Sequence, residues 1–397
     1  MDTKSIIDTF TKYVIPAPAR LPIVIVRGKG AHVWDSDGKE YLDLFSGWGV
    51  STIGYCHPKV TEAIKTQVDK LIHMPNNFYN ELQGRLAKVI SEKSFHGKVF
   101  FCNSGAEANE TALKIARKYG HDKSRDEVIS MENSFHGRTF GSLTATGQLK
   151  YQKEFMPVVP GFKYVQFGNF DAIKKTVTDK TCAIIMEPIQ GEGGINVASK
   201  EYFKQVRALC DDQDIILIFD EVQTGCGRTG KYFAFQYYNV LPDIMTLAKT
   251  LGGGFPIGAA IARGKFGDVL QPGNHASTFG GSPLACSAAL AVFQAIDEEK
   301  LLDNVVKMGA YLIERLNQIK KKYSFVSDVR GVGLMVGMEV EKKGPEIVKR
   351  CLENGLIINC TAGNVIRFLP SLAINQKELD HGLSILDEVM AEIESEE

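Results

Sequence analysis

The sequence predicts an α/β protein: a large central domain with a mostly parallel sheet, plus a smaller α+β domain built from both chain ends. Three observations lead there. Between about residues 95 and 262, short β-rich runs alternate with longer helical patterns. The runs are apolar throughout, as strands covered by helices on both faces are. The flanks change character, with a hairpin pattern before the central region and strand-rich segments after about residue 305.

Composition sets the outer bounds. At 397 residues, 44% hydrophobic and 23% charged, the chain suits a large core and two domains and excludes disordered or fibrous classes. With 46 Lys+Arg against 47 Asp+Glu, no basic field favours nucleic acid, and a small neutral partner is expected. The start, "MDTKSIIDTFTKYVIPAPAR", is amphipathic without a signal peptide's apolar core, and no run reaches the roughly 18 to 20 residues of a membrane span. The expected address is the cytoplasm.

The elements follow in order. "AHVWDSDGKEYLDLF" reads as two alternating runs joined at an Asp-Gly turn. "KVFFC", "DEVISM", "CAIIME", "DIILIFD", "DIMTLA" and "GAAIA" are the strands of the central sheet. After a helix come "GLMVGMEV", "GLIINC" and "VIRFLPS". The expected limits are residues 1–55 for the N-terminal part of the small domain, 56–305 for the large domain and 306–397 for the C-terminal part. Eight scattered cysteines without a C-x-x-C pair, and histidines without H-E-x-x-H spacing, indicate neither a disulfide framework nor a metal site.

In an open parallel sheet, ligands sit at the carboxyl ends of the strands, so the residues after each apolar run are the ones to inspect. "KVFFC" leads into Asn103-Ser104-Gly105-Ala106 at a helix start, where free N–H groups suit a phosphate. Alone, this turn is an ordinary serine N-cap. "DEVISM" leads into Phe135, His136 and Arg138, and "CAIIME" into Glu187 and Glu192. Asp220 closes a strongly apolar strand, and Lys249 ends the next run before three glycines. A structural ion pair between Asp220 and Lys249 is the plain alternative. One cofactor explains both residues and the phosphate turn: pyridoxal 5'-phosphate needs a lysine to condense with its aldehyde, a carboxylate for its ring nitrogen and an anion site. Phe135 would then cover the ring and Gln223 would donate to its oxygen. "GGGFPIGAA" lacks the Lys-Ser/Thr ending of a phosphate loop, and neither G-x-G-x-x-G nor G-x-S-x-G is present.

"NSGAEANETALKIAR", "SFHGRT", "EPIQGEGG", "FDEVQTGCGRTG", "LAKTLGGGFPIGA" and "HASTFGGSPLA" together resemble the class III, or ω-amino, aminotransferases of fold-type I. The resemblance runs from "VWDSDGKEYLD" to "VIRFLP", and "ARLPIVIVRGKGAHVWDSDG" and "NNFYNELQGRLA" are most similar to the branch acting on N-acetylornithine. It implies that Lys249 carries the cofactor, Asp220 pairs with the ring nitrogen, Gln223 bonds the ring oxygen and Phe135 stacks on the ring. Ser104, Gly105 and Ala106 would bind the phosphate, and Thr278 would reach the phosphate of a neighbouring subunit in a homodimer with interfacial sites. Arg138 and Ser277 would touch the donor. Arg367 would clamp the α-carboxylate of glutamate or 2-oxoglutarate, and Glu192 would neutralise that arginine when the substrate presents an ω-amine. Trp48 stands where acetylornithine enzymes usually carry a smaller aliphatic residue, so the implied donor is N-acetylornithine, then succinylornithine, N-succinyl-diaminopimelate, 4-aminobutyrate or ornithine. An aminomutase or decarboxylase using the same cofactor, or a non-catalytic scaffold, are the other classes.

Overall fold

The computed structural model describes residues 2–341 and 343–396. Its largest sheet has seven strands in the order Lys98–Cys102, Gly258–Ala262, Ile244–Leu247, Ile216–Asp220, Thr181–Met186, Glu127–Met131 and Phe162–Val165. All pairings are parallel except those of Gly258–Ala262, which runs against both neighbours. Every residue of the four strands from Gly258–Ala262 to Thr181–Met186 is buried, which is why their sequences are apolar without alternation. The seventh strand, Phe162–Val165, lies at the edge and only Val165 is buried. Its half-exposed, Lys-containing sequence carries no buried-strand signal, and it was not anticipated.

The helix Gly105–His121 packs on this sheet with Ala112, Ile115 and Ala116 inward. Ser104 caps its start, Glu107 lies in its first turn and Lys118 and His121 lie in its last, as the helix dipole favours.

The chain ends build two further sheets. The Asp-Gly hairpin forms as expected, with His32–Asp35 antiparallel to Glu40–Asp43. Ile25–Lys29 adds on one side, and Leu356–Ile357 from the far end of the chain joins on the other, parallel to Glu40–Asp43. Val326–Val332, Met335–Val340, Val365–Phe368 and Asn359–Thr361 form an antiparallel sheet. "GLIINC" is therefore shared between two sheets rather than forming one strand.

Arg228 ties these parts together. Fully buried, it donates to the carbonyls of Leu334 (3.0 Å) and Pro370 (2.6 Å) and to Thr52 Oγ1 (3.1 Å). With no carboxylate among these partners, burial pulls its pKa down to about 9. Among the described residues no helix is long and apolar enough to cross a membrane.

Candidate active site

Five strand ends of the large sheet open onto one cavity of about 420 Å³. Ser104, Gly105, Ala106, Phe135, Arg138, Glu192, Asp220, Gln223 and Lys249 all line it. Residues from strands that are distant in sequence meet because parallel strands end at the same edge.

Lys249 follows Ile244–Leu247 in a left-handed backbone conformation (φ 46°). For a residue with a β-carbon, that conformation costs about 1–3 kcal/mol and marks a site the surroundings hold in place. Burial lowers the pKa of its amine below the ordinary lysine value; Glu192 opposes this and Arg367 adds to it. Among the described residues, Nζ has no hydrogen-bond or ion-pair partner. The Asp220 to Lys249 ion pair is thus not formed.

Asp220 is satisfied by other groups. Its Oδ2 accepts from Asn109 Nδ2 at 2.7 Å and lies 2.7 Å from His136 Nδ1. Its Oδ1 accepts from Val222 N at 3.0 Å. The buried carboxylate is held in one orientation, with His136 and Asn109 behind it and the cavity in front. Nε2 of His136 is buried with no hydrogen-bond partner among the described residues.

At the helix start, Ser104 Oγ accepts from Glu107 N at 3.2 Å, so the plain N-cap reading holds. Gly105 and Ala106, whose first-turn N–H groups have no partner within the helix, also line the cavity, where such groups suit an anion. A β-carbon at Gly105 would stand 2.9 Å from the Val222 side chain, which explains the glycine.

Glu187 joins two loops of the site. Its carboxylate accepts from the backbone N–H of Phe135 and of Gly191, each at 3.1 Å. Burial pushes its pKa up to about 7, helped by Asp220 and opposed by His136 and the two N–H groups. Because the folded pKa exceeds the unfolded value, the stabilisation this carboxyl contributes is full below about 4.5 and is lost as pH rises through about 7. Glu187→Gln, which cannot ionise, should therefore lose less thermal stability than the wild type between pH 5 and 8, by about 2 to 5 °C in Tm. Parallel Tm curves for the two proteins would refute the assignment.

Arg367 and Glu192 pair at one side of the cavity. Arg367 is fully buried in Val365–Phe368, and its Nη1 donates to Glu192 Oε1 at 2.6 Å and to Gln223 Oε1 at 3.3 Å. Its Nε and Nη2 both donate to Asn359 Oδ1, at 3.0 and 2.8 Å. The rings of Phe45 and Trp48 flank the guanidinium at 5.2 and 5.6 Å. Trp48 sits in a turn of four consecutive left-handed residues, Ser46 to Gly49. Asp43 holds that turn by accepting from the N–H groups of Phe45 (2.6 Å) and Ser46 (2.9 Å). Ser277 reaches the cavity wall through Asn103, whose Nδ2 is 3.3 Å from its Oγ. Thr278 is exposed beside it and does not line the cavity.

Sequence reading missed Asn109, Thr246 and Asn359. Asn109 and Thr246 both back Asp220, and Thr246 Oγ1 donates to Asn109 Oδ1 at 2.8 Å. The available signal was a polar residue at an apolar position of a helix or strand pattern, which a single sequence does not distinguish from a tolerated exception.

The residues fit pyridoxal 5'-phosphate. A lysine whose pKa burial lowers and which has no partner among the described residues, an oriented buried carboxylate and the start of a helix line one cavity of suitable size, and together they define a pyridoxal-phosphate enzyme of the α/β type. The family model of the class-III aminotransferases matches residues 14–390, so the chain belongs to that family of pyridoxal-phosphate-dependent aminotransferases. It is 52% identical over 396 residues to the acetylornithine aminotransferase of Methanocaldococcus jannaschii, covering 99% of this chain and 100% of the relative. It is 53% identical over 386 residues to that of Caldanaerobacter subterraneus subsp. tengcongensis, covering 96% and 98%. Among solved structures, the ornithine aminotransferase of Toxoplasma gondii superposes with a TM-score of 0.95 at 35% identity, covering 100% of this chain and 97% of that one. The acetylornithine aminotransferase of Elizabethkingia anophelis gives 0.88 at 32%, covering 99% and 100%. Another structure of the Toxoplasma gondii enzyme is described with pyridoxal phosphate in partial occupancy at its active site.

Proposed function

We propose that this aminotransferase moves the amino group of N-acetylornithine to 2-oxoglutarate, yielding N-acetylglutamate 5-semialdehyde and glutamate in two half-reactions, a step of arginine biosynthesis. The observation that carries this reading is the Arg367–Glu192 pair beside Lys249, supported by the two relatives more than 50% identical over nearly the whole chain. A site that serves an ω-amine and a dicarboxylate in turn must leave its buried arginine neutralised in one half-reaction and open in the other. An unpaired buried guanidinium is costly, and Glu192 supplies the carboxylate when the substrate does not.

Pyridoxal phosphate supplies an electron sink that stabilises negative charge at the substrate carbon. The chain does the rest. Asp220 would keep the pyridine nitrogen in its charged form, Gln223 would donate to the ring oxygen and Phe135 would cover the ring. Gly105, Ala106 and Ser104 would hold the phosphate. Lys249 would be the attachment point, and its Nζ, whose pKa burial lowers below the ordinary lysine value, would move the proton to and from the amine-bearing carbon. Arg138 and Ser277 receive the far end of the donor, and Arg367 receives the α-carboxylate of glutamate or 2-oxoglutarate.

The same reading makes the protein a cytoplasmic homodimer, with residues 1–55 and 306–397 as a small domain and 56–305 as the large one. Support for the dimer comes from exposed apolar side chains on two segments that meet beside Thr278: Ile72, Phe78, Tyr79 and Phe279 are exposed, and Asn76 Nδ2 donates to the carbonyls of Ser277 and Gly280, each at 3.0 Å. A second copy covering this patch brings Thr278 to the neighbouring phosphate. Sedimentation equilibrium should return twice the mass of one chain, and Phe279→Asp should shift it toward one. A wild-type protein that sediments as a single chain with full activity would remove the role of Thr278.

The donor is tested by absorbance. N-acetylornithine alone should change the cofactor spectrum, and 2-oxoglutarate should restore it. No change with N-acetylornithine but a full change with ornithine or 4-aminobutyrate would reassign the donor within the family.

A further inference from the structure

Two guanidiniums at the site stand in opposite states: Arg138 lines the cavity, whereas Arg367 lies behind Glu192, which lines it. Arg367 is buried and its donors are taken by Glu192, Asn359 and Gln223. Arg138 is exposed to the cavity, and among the described residues no carboxylate pairs with it. What holds it is the ring of Tyr151, whose centroid lies 4.0 Å from the guanidinium carbon, with Phe135 at 5.4 Å.

From this contrast we infer that Tyr151 is a positioning residue that keeps Arg138 permanently open to a substrate carboxylate. The inference rests on the assignment of Arg138 as a substrate-binding residue. The physical argument concerns what each partner consumes. A carboxylate that orients an arginine occupies its N–H donors, and so competes with the substrate, which is why Arg367 needs a switch. An aromatic face attracts the flat cation through its ring charge distribution and takes none of the in-plane donors. The whole edge of Arg138 therefore remains for a bidentate contact.

Tyr151 is itself well anchored. It lies on the short helix Leu149–Gln152, whose last residue is almost fully buried. Gln152 Nε2 donates to the carbonyls of Thr146 at 2.8 Å and Thr144 at 3.2 Å. The ring meets Phe135 edge-on, with centroids 6.2 Å apart, so the stack that orients Arg138 is continuous with the proposed cover of the cofactor ring. At the other end, Arg138 follows Gly137, whose φ of 135° only glycine adopts readily. The chain bends there and the side chain turns along the cavity wall.

The test is the affinity of the purified holoenzyme for glutarate, a dicarboxylate that carries neither amine nor ketone, measured by titration calorimetry in Tyr151→Phe, Tyr151→Leu and Arg138→Leu. Tyr151→Phe keeps the ring and should bind within about twofold of wild type. Tyr151→Leu should bind roughly five- to thirtyfold more weakly, with Tm and cofactor absorbance unchanged and kcat altered less than KM. Equal loss in Tyr151→Phe would show that the hydroxyl matters and would overturn the inference. So would wild-type affinity in Tyr151→Leu while Arg138→Leu is weakened. If Arg138→Leu itself binds like wild type, the assignment of Arg138 fails and the inference falls with it.

Discussion

Lys249→Ala should lower turnover by at least about a thousandfold, combining loss of the proposed attachment point with loss of the amine proposed to transfer the proton. The other groups proposed to hold the cofactor do not depend on Lys249. Asp220 is oriented by Asn109, His136 and Val222 N, and none of those contacts involves Lys249. The amides of Gly105 and Ala106 are also independent of it. The variant should therefore still take up pyridoxal phosphate, more weakly and reversibly, and lose it on dialysis. Borohydride, which fixes a lysine-bound cofactor to the wild type, should leave the variant unlabelled. Appreciable multiple turnover by a pure preparation of Lys249→Ala would end the mechanism. The bend at Lys249 adds a constraint: with φ at 46°, most substitutions keep a strained backbone, so Lys249→Gly is a useful control that should be equally inactive.

Arg367→Ala should split the two half-reactions. Removing one member of a buried, hydrogen-bonded charge pair costs about 2–5 kcal/mol where that group binds its ligand. We therefore expect kcat/KM for 2-oxoglutarate to fall by about 10² to 10³, and that for N-acetylornithine by less than about tenfold. The smaller loss reflects the state in which Glu192 already covers the arginine. Glu192→Gln should act in the opposite sense, leaving the arginine open: 2-oxoglutarate binds at least as well, and the donor half-reaction carries the loss. Equal losses in both halves for Arg367→Ala would place the arginine outside carboxylate recognition.

Much of the fold and site was legible because the chemistry sits where strands stop. Apolar runs of five or six residues with a polar residue at the end identified Asp220, Glu187 and Lys249, and Ser-Gly-Ala before an alanine-rich helix marked the anion cradle. What escaped has an equally physical cause. Phe162–Val165 is an edge strand, half wet and therefore without a buried pattern. "GLIINC" reads as one strand, yet its halves pair with partners more than 300 residues apart in one case and eight apart in the other, Leu356 with Leu42 and Asn359 with Arg367.

The amino-acid sequence alone determined the class of cofactor and the mostly parallel sheet and pointed to Lys249 as the residue proposed to hold that cofactor, because these follow from local periodicity and from residue types at strand ends. Only the tertiary structure decided which groups satisfy each other. It showed that Asp220 turns to His136 and Asn109 rather than to Lys249, that Glu192 closes on Arg367, and that Arg138 rests on Tyr151 with no hydrogen-bond partner among the described residues. Charge pairing depends on distances of a few ångströms between residues 80 to 180 positions apart, and such distances are set by how strands order themselves across a sheet and how the chain ends fold back on it.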